Sequence, residues 1–502
     1  MIPSHLTPGG YMYTMVMYIT ITRSQTLTYG QFVVVCKDIK SLLESKNRLK
    51  KPNQHFKTVI RLLKAIIAQN KLFRKRDVFF LLVALYCAGK YLIVDNLQFD
   101  ANDFAPIYVA AQLVEDGKHI SIYDHHPYLF NIVPPGTFKE TSKKIGFKGI
   151  LTPYVHLPLF SFLYRPLLFI PFRTITKLLL IINVLVMVFS LYLILKLVDR
   201  GSILRLFSIA ILVMAFFYPM RYSLRLGQTT PIIFLGIISI YYLAKIGHLK
   251  TSGFILGGII SLKITPIFFL CYFLIRKKWS LAISSIVTLM VVAICSVLLM
   301  GWESNAIFFN NIIRLNGLSL ASWNNQSLDG FLLRCVTGAT HLYDWHLLEL
   351  PLKMKVLKYF VLTSMLLLWI FILIQSKRIK EDNHDLFGFS LTLVLLVIFA
   401  PISWSHYLLF LVFPYLVLLN TIIRNKTIPY RKLMIGVLLL SYPGVALPPS
   451  YFLLFINFPF INKIPLAVLS STGFWGGILL VIILSFIQLS SGKQLRGLKT
   501  SG

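Results

Sequence analysis

Apolar runs recur along this chain of 502 residues and constrain its fold more than any other feature. A helix needs about 20 mostly apolar residues to cross a bilayer, whereas a transmembrane strand needs about 10 that alternate. The runs therefore predict an all-α, polytopic membrane protein with about twelve transmembrane helices. The predicted spans are Val78–Val94, Val155–Pro171, Leu178–Val198, Ile203–Tyr218, Pro231–Ile246, Gly253–Ile275, Leu281–Met300, Val356–Gln375, Leu386–Pro401, Tyr407–Ile423, Leu433–Leu447 and Leu466–Leu489.

The charge of the chain supports a membrane location and argues against nucleic acid as a partner. The net charge is +32, but most Lys and Arg lie in the N-terminal region and in short loops between apolar runs, as the positive-inside rule expects for cytoplasmic segments. We therefore expect a basic cytoplasmic tail over 1–77 that contacts membrane lipids, a transmembrane domain over 78–489 and a cytoplasmic tail over 490–502. The three prolines of Val155–Pro171 leave open a broken or re-entrant segment there.

Carboxylates are concentrated just after the first predicted span. Asp95–Asp124 holds six of the 18 Asp and Glu residues. Within it, Asp103 precedes a predicted amphipathic helix, Pro106–Glu115, that suits the membrane interface. Asp103 is thus a candidate general base, with helix N-capping as the structural alternative. His119, Asp124, His125 and His126 could in principle bind a metal, but in so polar a loop solvation of these side chains is the favoured interpretation. We therefore expect no metal.

Cationic residues in two segments are candidates for binding a phosphate. Arg221 and Arg225 lie four residues apart before Gly227–Gln228, an arrangement suited to charge-assisted hydrogen bonds with phosphate. Lys263 lies near the middle of an apolar run, where an unpartnered cation costs roughly 3 kcal/mol or more, so it is a functional candidate. A solvated loop is the alternative for the arginines. No nucleotide-binding glycine loop occurs, and we expect no cofactor.

Two polar segments follow later in the chain. Ser322–Asp329 combines Trp, Asn, Gln and Ser in a way typical of sugar-binding surfaces, although Trp also gathers at membrane interfaces. The segment Pro401–Tyr407 places His406 at a helix end, where an imidazole can donate to a phosphate or carry a proton. A structural role is the alternative for His406.

Taken in order, these motifs resemble glycosyltransferase family 87, within the membrane-embedded C-type glycosyltransferases. The resemblance runs from about residue 76 to 425. The motifs that carry it are Asp103-Phe104 with Tyr108, Ala110 and Ala111, followed by Gly117 and Tyr123-Asp124, then Pro158-Leu159 and Arg165-Pro166-Leu167, Gly227-Gln228, Leu262-Lys263 with Pro266, Asn325-Gln326-Ser327 with Arg334, and Pro401-Ile402-Ser403-Trp404 with His406. One departure is Thr230, which stands where the family usually has Asn.

The resemblance implies a hexosyltransferase with a C-type fold in the plasma membrane. It implies a polyprenyl-phosphate sugar donor, most often of mannose, a lipid or glycan acceptor, and catalysis on the outer face. Asp103 then corresponds to the general base of an inverting displacement. We assign Arg225, Lys263 and His406 to the donor phosphate, and Tyr108, Gln228, Asn325, Gln326 and Trp404 to sugar or acceptor. A lipid or sugar transporter and a non-catalytic scaffold are the rival functions.

Overall fold

The computed structural model describes residues 75–123, 133–198, 203–315, 317–376, 382–424, 430–453 and 464–499. Nearly all of the predicted tail over 1–77, and the predicted metal residues Asp124, His125 and His126, lie outside these ranges. The predicted C-terminal tail begins inside a helix that runs to Lys499.

The described residues are 77% helical with almost no strands, which confirms the predicted all-α class. The α-helices are α1 Lys75–Ala88, α2 Ala105–Glu115, α3 Thr137–Lys144, α4 Pro158–Tyr164, α5 Phe172–Val198, α6 Ile203–Phe216, α7 Tyr218–Leu226, α8 Thr230–Lys245, α9 Leu249–Leu262, α10 Ile267–Ile275, α11 Trp279–Leu315, α12 Leu328–Thr337, α13 Leu352–Ser376, α14 Asp382–Ile398, α15 Val412–Arg424, α16 Arg431–Ala446, α17 Pro449–Leu453, α18 Leu466–Leu469 and α19 Thr472–Lys499. Shorter 3-10 or π segments are Gly89–Ile93, Val94–Asn96, His119–Tyr123, Arg165–Leu167 and Ser405–Leu411. Strands β1 Leu318–Leu320 and β2 Leu347–Glu349 pair antiparallel.

Six helical stretches in the described ranges are long and apolar enough to cross a membrane, which fits an integral membrane protein. They are Asp77–Asn96, Phe172–Val198, Trp279–Leu315, Leu352–Gln375, Ser405–Arg424 and Thr472–Leu489. A seventh arises if Leu206–Phe216 and Tyr218–Leu226, bent by 62°, form one span. The prediction of about twelve spans is not confirmed, because several apolar runs fold as shorter helices.

Two predicted spans are interrupted in the structure. Val155–Pro171 contains only the seven-residue α4 and a 3-10 turn, far short of a bilayer crossing at 1.5 Å per residue. Gly253–Ile275 is split, because α9 ends at Leu262 and α10 begins at Ile267 after Pro266. Hydropathy averages over a window and does not register such breaks. The second break places Lys263 in extended backbone between two helices.

Small residues let α9 and α11 pack with their backbones close together. Gly253 and Gly257 are four residues apart on α9, and a Cβ at Gly257 would lie 2.7 Å from the carbonyl oxygen of Ser285. Such pairs of glycines are typical of tightly packed membrane helices. The contact holds α9, the helix that Lys263 directly follows.

The predicted helix Pro106–Glu115 is confirmed as α2, and its burial is not confined to one face as an amphipathic pattern would predict. Its place at the membrane interface stays a prediction. Eight of its 11 residues are buried, including residues on opposite faces. Around its first turn, the Phe104 ring stacks on Phe172 at 6.4 Å and the Tyr108 ring meets Phe172 edge-on at 5.4 Å. The aromatic packing therefore makes α2 part of the core that supports the first loop.

Candidate active site

Asp103 is held against the end of α7 by both its backbone and its carboxylate. Its N–H donates to the carbonyl oxygen of Leu226 at 2.9 Å. The Nε2 amide of Gln228 donates to Oδ2 of Asp103 at 2.5 Å. Phe104, not Asp103, is the N-cap of α2, and no side chain caps that helix. The structure thus excludes the N-cap alternative and leaves Asp103 partly exposed beside a polar partner 125 residues away.

Gly227 allows the first loop to reach α7. It lies in the left-handed region at φ 66° and ends the helix, a conformation that favours glycine. A Cβ there would lie 2.6 Å from the Cβ of Ala101 and 3.0 Å from that of Phe104. The sequence pair Gly227–Gln228 therefore combines a close backbone approach with the donor to Asp103.

The surroundings of Asp103 bring its pKa closer to neutral pH. Burial raises the pKa of Asp103 to about 6. The hydrogen bond from Gln228, the charge of Lys263 and the hydroxyl of Thr152 oppose that rise, because each favours the carboxylate form. A base is most effective when its pKa lies near the working pH. Asp103 consequently combines an ionised state at neutral pH with basicity well above that of a free aspartate.

Lys263 lies in the same electrostatic environment as Asp103. Its ammonium stands over the ring of Tyr407, with Nζ 3.8 Å from the ring centroid. It is also close enough to Asp103 for the two charges to interact. The cation is therefore partnered by an aromatic face and a carboxylate. Lys263 thus has polar and aromatic neighbours, and its binding of a phosphate stays a prediction.

His406 adds a buried imidazole next to this pair. The residue is 2% exposed, and neither ring nitrogen makes a hydrogen bond within the described part of the chain. Its ring meets that of Tyr407 edge-on at 4.7 Å, and Tyr222 lies 6.1 Å away. A buried polar group without a partner is costly, so both nitrogens are suited to a bound ligand.

The two arginines of α7 lie on aromatic rings. The guanidinium of Arg225 is 4.6 Å from the centroid of Phe99, and that of Arg221 is 5.6 Å from the centroid of Tyr91. Tyr222 lies near enough to sense the charges of both Asp103 and Arg225. Arg225 thus lies within one helical turn of Gly227, on the same helix as Tyr222.

Asn325 and Gln326 have a different environment from the one the sequence analysis expected. Both are fully buried. The Asn325 amide donates to Ser319 Oγ and the Leu320 carbonyl, and its oxygen accepts from Ser403 N. The Gln326 amide donates to two backbone carbonyls and accepts from Gly473 N. Since protein atoms already bond each amide, neither presents a donor to a sugar.

Tyr108, Trp404 and Arg334 also hold loop segments in place. The Tyr108 hydroxyl donates to the Ile170 carbonyl at 3.0 Å. Trp404 is partly buried, and its backbone pairs with that of Asn325. Fully buried Arg334 donates to the carbonyl oxygens of Ser322 and Asn325 at 2.7 and 2.9 Å. The contacts of Trp404 and Arg334 join the segments around Asn325 and Trp404, two residues before His406.

His156 was missed by the sequence analysis, although the structure places it in the site. Its Nδ1 lies 3.3 Å from the carbonyl oxygen of Leu262, next to Lys263. A carbonyl only accepts hydrogen bonds, so Nδ1 carries the proton and Nε2 is left as an acceptor. The only sequence signal was a histidine within the proline-rich segment that fails to span.

A comparison with models of known protein families matches a range of the chain that includes several residues of the candidate site. The model of glycosyltransferase family 87 matches residues 154–401. That range includes His156, Gln228, Lys263 and Asn325, while Asp103 lies before it. No curated protein and no solved structure matches the chain.

Proposed function

Residues 154–401 belong to glycosyltransferase family 87, and from this membership we propose a specific transfer reaction. The chain is a glycosyltransferase; the donor we propose is a polyprenyl-phosphate hexose, with mannose preferred. The acceptor is a lipid or glycan hydroxyl on the non-cytoplasmic face of the plasma membrane. No metal or cofactor takes part in this scheme, and the surrounding lipids are the remaining partners.

The observation that carries the proposal is the carboxylate of Asp103, bonded to Gln228 at 2.5 Å with a pKa of about 6. Glycosyl transfer requires removal of a proton from the acceptor hydroxyl. A partly exposed carboxylate of this pKa accepts that proton near neutral pH. A non-catalytic scaffold has no need of such a group.

The proposed reaction is a single displacement. An acceptor oxygen attacks the anomeric carbon while its proton passes to Asp103. The new carbon–oxygen bond forms as the bond from the anomeric carbon to the phosphate oxygen breaks. The lipid phosphate leaves with the bonding electrons, and the configuration at the anomeric carbon inverts. Asp103 then returns its proton to solvent.

Lys263, His406 and Arg225 are the proposed contacts of the donor phosphate. Lys263 supplies a positive charge close to Asp103, and His406 supplies ring nitrogens that the described protein atoms leave without hydrogen bonds. Arg225 approaches from the end of α7. Together they stabilise the negative charge that develops on the leaving phosphate.

Most of the residues first assigned to the sugar or acceptor contact other protein groups, and we propose that they position the site. Gln228 orients the base, while Asn325 and Gln326 hold the segment that ends at His406. Tyr108 fixes the Leu168–Ile170 turn. Trp404 keeps partial exposure and is the one we propose as a stacking surface for a sugar ring.

The test uses purified protein in lipid nanodiscs with labelled polyprenyl-phosphate mannose and a membrane lipid extract as acceptor. Asp103→Asn is expected to retain the fold and donor binding but to lower turnover by about 100-fold or more. Asp100→Asn is the matched control, because Asp100 is an exposed aspartate three residues away. Equal turnover in both variants would exclude Asp103 as the base.

The same preparation separates transfer from transport. A glycosyltransferase produces a new labelled product and free polyprenyl phosphate in nanodiscs, where no closed compartment exists. A transporter yields neither, and in sealed vesicles it moves the unchanged donor between leaflets. Movement of donor without product would replace the enzyme proposal with the transporter.

Sidedness is tested by labelling single cysteines in a background without the five native ones. Lys118→Cys and Tyr343→Cys introduce thiols at exposed positions of the two long loops, and Lys277→Cys does so in a basic turn predicted to be cytoplasmic. A membrane-impermeant maleimide should modify the first two from outside intact cells and the third only after lysis. Labelling Tyr343→Cys and Lys118→Cys from opposite sides would contradict a shared outer cavity.

A further inference from the structure

Three potential ligands converge in the loop between α12 and β2. Nδ1 of His341 lies 3.0 Å from Oδ2 of Asp344, and Nδ1 of His346 lies 3.2 Å from Oδ1 of the same carboxylate. One donor atom from each residue falls within 4.8 Å of the others. The sequence analysis did not single out this H-x-x-D-x-H spacing, and the proposed transfer reaction does not use it.

Hydrogen bonding accounts for only part of this arrangement. His341 bonds to the carboxylate, and the backbone N–H of His346 donates to Oδ1 of Asp344 at 3.3 Å. The buried Nδ1 of His346 makes no hydrogen bond within the described residues, despite its 3.2 Å separation from Asp344. In the tautomer with its proton on Nε2, this Nδ1 has a lone pair free for a cation at a point that the carboxylate also faces.

The spacing of these atoms suits a small divalent cation. Zinc binds His nitrogen and carboxylate oxygen at about 2.0–2.2 Å in a tetrahedron, which sets its ligands about 3.3 Å apart. The two measured separations, 3.0 and 3.2 Å, are close to that value. Two imidazoles also disfavour Mg²⁺ and Ca²⁺, which prefer oxygen ligands.

We propose that His341, Asp344 and His346 bind one Zn²⁺ ion. Three protein ligands leave the fourth tetrahedral position for water, and all three side chains retain partial exposure through which the ion enters. The site is independent of the proposed sugar transfer. Failure of one proposal therefore leaves the other standing.

The ion would stabilise the loop between α12 and β2, which contacts a segment of the candidate active site. The carbonyl oxygen of Leu342, next to His341, accepts a hydrogen bond from Trp323 N at 2.9 Å. The Trp323 ring lies 6.4 Å from Tyr222, and Asn325 follows two residues later. On the other side, His346 leads directly into β2, which pairs with β1. A cation joining positions 341 and 346 thus fixes both attachments of this loop.

The experiment measures zinc bound to the purified full-length protein after dialysis against a chelator. Zn²⁺ is titrated, and bound metal per chain is determined by mass spectrometry, with thermal unfolding followed in parallel. We expect one ion per chain and a raised Tm, because a ligand that binds only the folded state stabilises it. His341→Ala and His346→Ala should each weaken binding by about tenfold or more, since even a supporting contact has that effect.

Two controls make the result decisive. His248→Ala removes an exposed histidine from the turn between α8 and α9 and should bind zinc like the unaltered protein. Asp344→Asn keeps the shape of the side chain; if Asp344 is only a hydrogen-bond acceptor, this change lowers Tm equally with and without zinc. That outcome, absence of stoichiometric zinc, or equal stabilisation by Mg²⁺ would overturn the site.

Discussion

The hydrogen bond between Gln228 and Asp103 gives a quantitative test of the proposed base. Gln228→Leu removes the amide donor while keeping a side chain of similar size. The amide stabilises the charged form of Asp103, so its loss raises the pKa of Asp103 above about 6. A hydrogen bond to a charged group contributes about 1.5–3 kcal/mol, which corresponds to a rise of about one to two pKa units.

The sign of the pH effect follows from the role of the carboxylate. Asp103 acts only when ionised, so turnover falls as the pH drops through its pKa. In the unaltered protein this acid limb should lie near pH 6, after allowance for the bound substrates. In Gln228→Leu it should move to about pH 7–8, lowering turnover at neutral pH by about two- to tenfold and restoring much of it under alkaline conditions.

The assay is kcat as a function of pH in nanodiscs with saturating donor. Gln112→Leu is the matched control, because the Gln112 amide donates to Asp116 Oδ1 at 2.9 Å in an exposed pair of the same kind. It should leave the acid limb unchanged. If Gln228→Leu is equally silent, or moves the limb to lower pH, Asp103 is not the group that titrates in catalysis.

Three further variants address the scaffold and the phosphate site. Gly227→Ala should lower the free energy of unfolding by about 2 kcal/mol or more, because the strain of a left-handed backbone adds to a clash with the first loop. Gly117 also has a positive φ but no atom near its Cβ position, so Gly117→Ala should cost only about 1 kcal/mol in chemical unfolding. Lys263→Met should raise the donor KM by about 10-fold or more, through loss of a charge-assisted contact, whereas exposed Lys250→Met should not. Asn325→Ala should lower the free energy of unfolding by about 2 kcal/mol while the folded fraction keeps its donor KM; a selective rise in KM would instead return Asn325 to the sugar.

The helical class, the membrane character and several members of the site could be predicted from the sequence. Apolar runs specify helices because the backbone must satisfy its own hydrogen bonds in lipid. The cost of an unpartnered mid-membrane cation singled out Lys263, which does lie beside Asp103. These inferences rest on local composition, which one-dimensional patterns record. The C-type arrangement of the helices, the donor and the sidedness stay predictions.

Only the tertiary structure decided which motif residues have their polar atoms hydrogen-bonded inside the protein. Asn325 and His406 are both polar residues in short motifs, yet one has its amide fully bonded inside the protein and the other has two ring nitrogens without hydrogen bonds in the described chain. The role of a polar side chain depends on partners that lie far away in sequence, as Gln228 does from Asp103. The burial that raises the pKa of Asp103 is likewise a sum over surrounding elements. Neither the distant hydrogen-bond partners nor the burial of a side chain is encoded in the spacing of residues along the chain. Packing therefore determines which carboxylate can act as a base.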